Sequence, residues 1–233
     1  MQDAPQPPHA YSLAEREALY KAIRERRDMR HFSPGQSVPP ATLLRILQAA
    51  HQGPSVGFMQ PWRFLRLTQT GQREAISAIV AREQQATAVA LGERQAAFLR
   101  LKVEGIQDCA ELLVCCLMPD RESHIFGRRT MPNMDIASVG CALQNLWLAA
   151  RAEGLGLGWV SIFDPLELAA TLHLPAGAQP VALLCIGPVP DFYEQPMLEQ
   201  QRWASRMPLA DVVFDGAWGQ PSSLFATNDQ PPV

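Results

Sequence analysis

Residues 53–64 read GPSVGFMQPWRF, a stretch of small, rigid and aromatic residues with one charge between two predicted regular elements. A loop that is only solvated would contain more polar side chains. Glycine lets backbone amides approach a ligand closely, and proline restricts the path of the chain. Phe58, Met59 and Trp62 could form a flat apolar wall beside the hydroxyl of Ser55. This mixture suits a planar heteroaromatic ligand with polar edges, although a loop packed under the core could have the same composition.

The elements around this loop have the order of an α+β domain. A capping box at Ser12 and Glu15 predicts a helix that ends near Arg26. Asp164 followed by Pro165 predicts the start of a later helix. Other apolar patterns predict a helix after the paired prolines 39–40, strands over 63–68, 110–118, 156–163 and 180–186, and an apolar helix over 135–152. A helix that is apolar over so much of its circumference is central or lies in a dimer interface.

The composition excludes several classes of function. The 233 residues carry a formal net charge of -3, which provides no basic excess for nucleic acid or an anionic membrane. We find no signal peptide and no apolar run long enough to span a membrane, so we predict a cytoplasmic protein. The five cysteines form no Cys-x-x-Cys pair and the histidines are scattered. We therefore expect buried, reduced thiols and no metal site.

Residues 24–30, RERRDMR, contain four arginines. Guanidinium groups bind phosphate in a bidentate manner, so this segment is a candidate phosphate site, with Arg206 as a second candidate. Alone, the segment could equally be a solvated helix end, where basic side chains complement the helix dipole. Residues 154–158, GLGLG, follow a helix and open a strand, which is the reverse of the dinucleotide-binding order. These glycines more plausibly end the helix and keep the backbone close to a ligand.

Taken in order, these features resemble the nitroreductase-like flavoprotein family across residues 15–218, and within it the 5,6-dimethylbenzimidazole synthase subfamily. The segments that carry the resemblance are 26–30 (RRDMR), 53–64, 126–132 (FGRRTMP), 144–151 (QNLWLAAR) and 158–165 (GWVSIFDP). The resemblance implies an FMN-dependent α+β fold with a central mixed sheet flanked by helices. It also implies a homodimer with FMN at the subunit interface and a C-terminal arm over 189–218. The expected organisation is a disordered leader (1–11), a single domain (12–218) and a polar tail (219–233).

The resemblance also implies which residues form the site. Ordinary nitroreductases commonly carry serine at the position of Asp28, and a carboxylate there could accept a proton. We expect Asp28 and Ser161 to be catalytic. The residues expected to bind FMN are Arg26, Arg27, Asp28, Met29, Arg30, Ser55, Leu101, Gly156, Leu157, Gly158 and Arg206. No metal is expected.

The implied reaction consumes the flavin. Reduced FMN and O₂ would yield 5,6-dimethylbenzimidazole, the lower ligand of cobalamin, together with erythrose 4-phosphate. A separate NAD(P)H:flavin reductase would supply the electrons. The first alternative is an NAD(P)H-dependent nitroreductase or quinone reductase that recycles its FMN, against which Asp28 argues. A flavin carrier or sensor and a dehalogenating flavoenzyme are further alternatives.

Overall fold

The computed structural model describes residues 7–225. Residues 1–6 of the expected leader and 226–233 of the expected tail lie outside the described residues. The chain divides into two compact units, Met1–Glu194 and Gln195–Val233. The second unit contains a short helix, α7 (Met197–Gln200), and two 3₁₀ turns, Leu209–Asp211 and Ser223–Phe225.

The first unit contains six α-helices and four strands within the described residues. The helices are α1 (Leu13–Glu25), α2 (Pro40–His51), α3 (Thr70–Ala90), α4 (Gln95–Leu99), α5 (Met134–Ala152) and α6 (Pro165–Thr171). The strands are β1 (Trp62–Arg66), β2 (Glu111–Leu117), β3 (Gly156–Val160) and β4 (Gln179–Gly187). The predicted elements are confirmed, with β3 ending three residues earlier than expected.

Local capping explains where several helices begin and end. Ser12 and Glu15 exchange both bonds of the predicted capping box at the start of α1. The Asp164 carboxylate accepts the first free N–H groups of α6. At the end of α5, Gly154 has a φ of 77°, and the N–H of Leu155 donates to the carbonyl of Ala150 at 2.8 Å. This left-handed ending turns the chain sharply from α5 into β3.

The sheet has the order β1-β2-β4-β3, and all its neighbouring strands are antiparallel. The expectation of a mixed sheet is therefore corrected. Parallel pairing among the described residues is limited to one isolated bridge between Asp28 and Leu157. After β2 the chain forms α5 and then re-enters the sheet as the edge strand β3. The segment at residues 26–30 therefore lies against an edge strand.

Both faces of the sheet are buried, because successive side chains of β2 enter two different core clusters. Leu113, Cys115 and Leu117 pack with α2 and α5 on one face. Leu112, Val114 and Cys116 face the other cluster, which includes residues of α3 and α6. This explains why residues 112–118, after Glu111, form a continuous apolar run rather than an alternating one.

The thiols do not all lie in the core. Cys109, Cys115, Cys116 and Cys185 are buried, whereas Cys141 is exposed on α5. The expectation of five buried thiols is therefore wrong at Cys141. No helix in the described part of the chain has the length and apolar content needed to cross a membrane.

Candidate functional site

The Arg-rich segment lies directly beside β3. The N–H of Met29 donates to the carbonyl of Leu157 at 2.9 Å, and Asp28 forms the isolated bridge with Leu157. The N–H of Trp159 donates to Asp28 Oδ1, also at 2.9 Å. Residues 26–30 therefore extend the edge of the sheet by a short stretch, and they place the Asp28 side chain at the end of β3.

Two glycines of β3 permit this close approach. A Cβ at Gly158 would lie 2.2 Å from the carbonyl oxygen of Met29, and a Cβ at Gly156 would lie 2.3 Å from Val189 Cγ1. The prediction that these glycines also keep the backbone close to a ligand stays a prediction. The group that approaches them is the chain's own segment at Met29, whose side chain is fully buried.

Asp28 and Arg30 form a bidentate ion pair. The two terminal nitrogens of Arg30 donate to Oδ1 and Oδ2 of Asp28 at 2.7 and 2.5 Å. Arg30 Nη2 also donates to the carbonyl of Trp159 at 2.8 Å. The Arg30 side chain is 9 % exposed and that of Asp28 42 % exposed. Arg30 thus holds the carboxylate from the protein side and leaves part of its surface accessible.

The surroundings raise the pKa of the Asp28 carboxyl above its ordinary value of 3.8. Desolvation is the largest cause, because the nearby protein excludes water from the charged form. The positive charges of Arg30 and Arg26 and the Trp159 N–H act in the opposite direction and lower the pKa. An acid with opposing influences of this kind is suited to proton transfer.

The arginines before Asp28 also have partners. The Arg27 guanidinium donates to the carbonyls of Arg24, Arg26 and Glu194 at 2.7–2.9 Å. The Arg26 guanidinium lies 4.5 Å from the ring centre of Trp147. Residues 26–30 contain three cations and one anion. Such an excess of guanidinium donors fits a phosphate-bearing ligand.

A second observation supports that fit. The Nε atoms of Arg27 and Arg30 are buried and make no hydrogen bond within the described part of the chain. Buried donors normally have a partner, so unpaired ones at this position are suited to an additional acceptor. The unpaired Nε atoms of Arg27 and Arg30 are compatible with an additional acceptor, and FMN binding by these residues stays a prediction.

Other predicted site residues lie outside this cluster. Ser161 is exposed immediately after β3. The Ser55 hydroxyl accepts the N–H of Gln60 at 3.0 Å, and Leu101 is buried after α4. Arg206 belongs to the unit Gln195–Val233, and its role stays a prediction.

The loop that opened the sequence analysis is only partly the wall that we expected. Met59 and Trp62 are buried, and Trp62 Nε1 donates to His51 Nδ1 at 3.2 Å. Phe58 alone of the three apolar residues is exposed, at 82 %, with a φ of 54°. A bulky residue in the left-handed region is strained. Phe58 is therefore the one residue of the three that is available to form the expected wall, because Met59 and Trp62 are buried in the protein.

Sequence analysis missed three aromatic residues around the Arg-rich segment. Trp147 Nε1 donates to the carbonyl of Arg27 at 3.1 Å, and the rings of Trp147 and Trp159 lie 6.3 Å apart. The Tyr193 hydroxyl accepts the N–H of Arg30 at 3.2 Å. The usable signal was that tryptophan and tyrosine combine a large apolar surface with one polar group that needs a partner.

Comparison with known proteins places this fold and site in a family. The Nitroreductase family profile matches residues 23–188. The chain belongs to the nitroreductase family. It is 41% identical over 195 residues to a 5,6-dimethylbenzimidazole synthase of Rhodospirillum rubrum, covering 83% of this chain and 92% of the relative.

Solved structures show the same nitroreductase fold at low identity. A BluB-like flavoprotein from Clostridium difficile superposes with a TM-score of 0.64 at 19% identity, over 84% of this chain and 97% of that chain. Iodotyrosine deiodinase bound to FMN and 3-iodo-L-tyrosine gives 0.62 at 21% identity, over 76% of this chain and 92% of that one. These structural matches establish the fold alone.

Proposed function

We propose that this chain is a 5,6-dimethylbenzimidazole synthase. It would use O₂ to fragment reduced FMN into 5,6-dimethylbenzimidazole and erythrose 4-phosphate. The observation that carries the proposal is the 41% identity to a relative of that name, which extends over 92% of the relative. The position of Asp28 supports it, because a carboxylate with a raised pKa stands within the Arg-rich segment.

The residues of this chain have separable roles in the proposal. Arg26 and Arg27 would hold the phosphate, since they belong to the cationic segment and Arg27 keeps an unpaired buried Nε. Asp28 would accept or return a proton at its carboxylate, whose side chain is 42 % exposed. Ser161, exposed after β3, would donate a hydrogen bond to the flavin or to bound oxygen. Gly156 and Gly158 would lie near the edge of the flavin.

FMN binding rests on two further points. A relative by fold is named a flavoprotein, and another is described with FMN bound. Reduced flavin would supply the electrons that activate O₂, so the protein would bind, orient and shield the flavin and move a proton at Asp28. Electrons would come from a separate NAD(P)H:flavin reductase, and the protein would act in the cytoplasm.

The direct test supplies purified protein with chemically reduced FMN, admits air and separates the products by chromatography with mass detection. We expect 5,6-dimethylbenzimidazole from the natural protein and its loss in Asp28→Asn and Ser161→Gly. Asp164→Asn is a matched control, because Asp164 is a helix-capping carboxylate outside the Arg-rich segment. Recovery of all flavin as intact FMN would overturn the proposal in favour of a nitroreductase or a flavin carrier.

A homodimer is part of the proposal. No residue of α1 is buried, although the helix carries large apolar side chains. Those that are 46–60 % exposed are Leu13, Leu19, Tyr20 and Ile23. An uncovered apolar face of this size suits a second copy of the chain. Light scattering should give twice the monomer mass, and Leu19→Glu with Ile23→Glu should reduce it; a monomeric natural protein would contradict this part.

A further inference from the structure

A short stretch after β4 lies against the Arg-rich segment. We call residues 188–194 the strap. The N–H of Ser33 donates to the carbonyl of Pro188 at 2.9 Å, and Arg27 donates to the carbonyl of Glu194 at 2.7 Å. Residues 27–33 therefore contact both β3, through Met29, and the strap, through Arg27 and Ser33.

Tyr193 makes the central contact of the strap. Its hydroxyl accepts the N–H of Arg30 at 3.2 Å and lies 2.6 Å from Nδ1 of His31. The rings of Tyr193 and His31 meet edge to face, with centroids 6.0 Å apart. When His31 is neutral with Nδ1 unprotonated, the phenol donates to Nδ1 while it accepts from Arg30. One hydroxyl thus connects the strap to two successive residues of the Arg-rich segment.

Arg30 links Tyr193 to Asp28. Its backbone is bonded to Tyr193, while its guanidinium donates to both oxygens of Asp28 and to the carbonyl of Trp159. The Arg30 side chain is almost fully buried, so its orientation depends on these few partners. Loss of the Tyr193 bond would release the backbone from which the guanidinium extends. A small displacement of a reacting group is enough to lower a rate substantially.

We propose that Tyr193 is a positioning residue that orients the Asp28 carboxylate through Arg30. This inference rests on the proposed function for its catalytic consequence, but its structural content concerns the ligand-free protein. Tyr193 acts through another side chain, and its hydroxyl is occupied by Arg30 and His31. Hydrogen bonds at Pro188 and Glu194 hold the strap independently of the Tyr193 hydroxyl. Removal of that hydroxyl should therefore leave the fold intact.

The test compares Tyr193→Phe with Tyr11→Phe, which removes a phenol hydroxyl from an exposed position before α1. We expect Tyr193→Phe to lower the rate of 5,6-dimethylbenzimidazole formation about 3- to 10-fold, the factor that corresponds to one hydrogen bond. The affinity for FMN, followed by flavin fluorescence, and the melting temperature should stay close to those of Tyr11→Phe. A larger fraction of the reduced flavin should return as intact FMN.

A second readout needs neither flavin nor turnover. Carboxyl ¹³C NMR of the ligand-free protein reports the titration of Asp28, with its signal assigned by its absence in Asp28→Asn. Burial raises the pKa of Asp28, whereas Arg30, Arg26 and the Trp159 N–H lower it. An Arg30 side chain that is held less firmly lowers the pKa of Asp28 less. The pKa of Asp28 should therefore be higher in Tyr193→Phe than in the natural protein. Tyr11→Phe should leave the pKa of Asp28 unchanged.

The two readouts separate the two proposals. If the natural protein forms no 5,6-dimethylbenzimidazole but Tyr193→Phe raises the pKa of Asp28, the proposed function fails and the positioning role stands. If product forms normally in Tyr193→Phe, or if its loss follows a loss of FMN affinity or stability without any change in that pKa, the positioning role is overturned.

Discussion

The carbonyl oxygen of Met29 occupies the space that a Cβ at residue 158 would need. The distance from that oxygen to an ideal Cβ on Gly158 is 2.2 Å, far below a normal contact. The same Cβ would lie 2.7 Å from Nη1 of Arg30. A missing side chain on β3 therefore lets the segment that carries Asp28 lie against the sheet edge.

Gly158→Ala should displace this segment from β3. The obstructing atom is backbone, which cannot rotate away, so we expect a loss of about 1–3 kcal/mol in the free energy of unfolding. Product formation should fall with it, because the bond from Trp159 to Asp28 would lengthen. Urea denaturation and the product assay check both effects. Gly71→Ala is the control, since nothing lies within 4 Å of its added Cβ; equal effects in both variants would contradict this explanation.

Arg128 should be structural and Arg129 dispensable for the fold. The Arg128 guanidinium is buried, donates to Asp135 at 3.1 Å and to the carbonyl of Pro132 at 3.0 Å, and also bonds to the carbonyl of Arg121. Removing one partner of a buried ion pair costs about 3–5 kcal/mol. The second contact of Asp135, with Arg121, should reduce that cost toward the lower end.

Arg128→Met and Arg129→Met form a matched pair for this prediction. Arg129 is exposed, so its replacement should change the free energy of unfolding by less than about 0.5 kcal/mol. Equal denaturation midpoints for the two variants would show that the buried pair contributes no net stability.

The rate of product formation should fall as the pH decreases, and the midpoint of this fall should lie above pH 3.8. If Asp28 must be ionised to accept a proton, activity falls as pH decreases through its pKa in the folded protein. Desolvation raises that pKa above its ordinary value, so the acidic limb should lie higher than for a solvated aspartate. The pH dependence of the single-turnover rate measures it. An acidic limb at or below 3.8 would remove Asp28 from this role.

Two of the buried thiols, Cys115 and Cys116, should resist alkylation. Burial raises the pKa of Cys116 to about 11, and Cys115 is raised further by burial and by its neighbour Cys116. Only the thiolate reacts, so at pH 8 these residues should be modified far more slowly than a free cysteine. Mass spectrometry of Cys141→Ser after iodoacetamide should show almost no label at Cys115 and Cys116 until the protein is unfolded. Rapid labelling of the folded variant would contradict the burial.

Pairing within the site could not be predicted from the sequence. Met59 and Trp62 have the same apolar character as Phe58, yet two are buried and one is exposed. Neighbouring elements decide this, because the choice depends on which side of the loop meets α2 and the sheet. The contacts of Arg30 with Trp159 and Tyr193 likewise join residues more than a hundred positions apart.

The sequence by itself determined the features that depend on neighbours along the chain. The capping box of Ser12 and Glu15, the cap at Asp164 and the buried strand β2 follow from local hydrogen bonding and periodicity, and the segment around Asp28 carries the family resemblance. Tertiary structure decided that β3 pairs antiparallel with β4, that the backbone of Met29 lies against Gly158 and that Arg30 bonds to the carbonyl of Trp159. These depend on long-range packing, whose contacts have no signature in local sequence spacing.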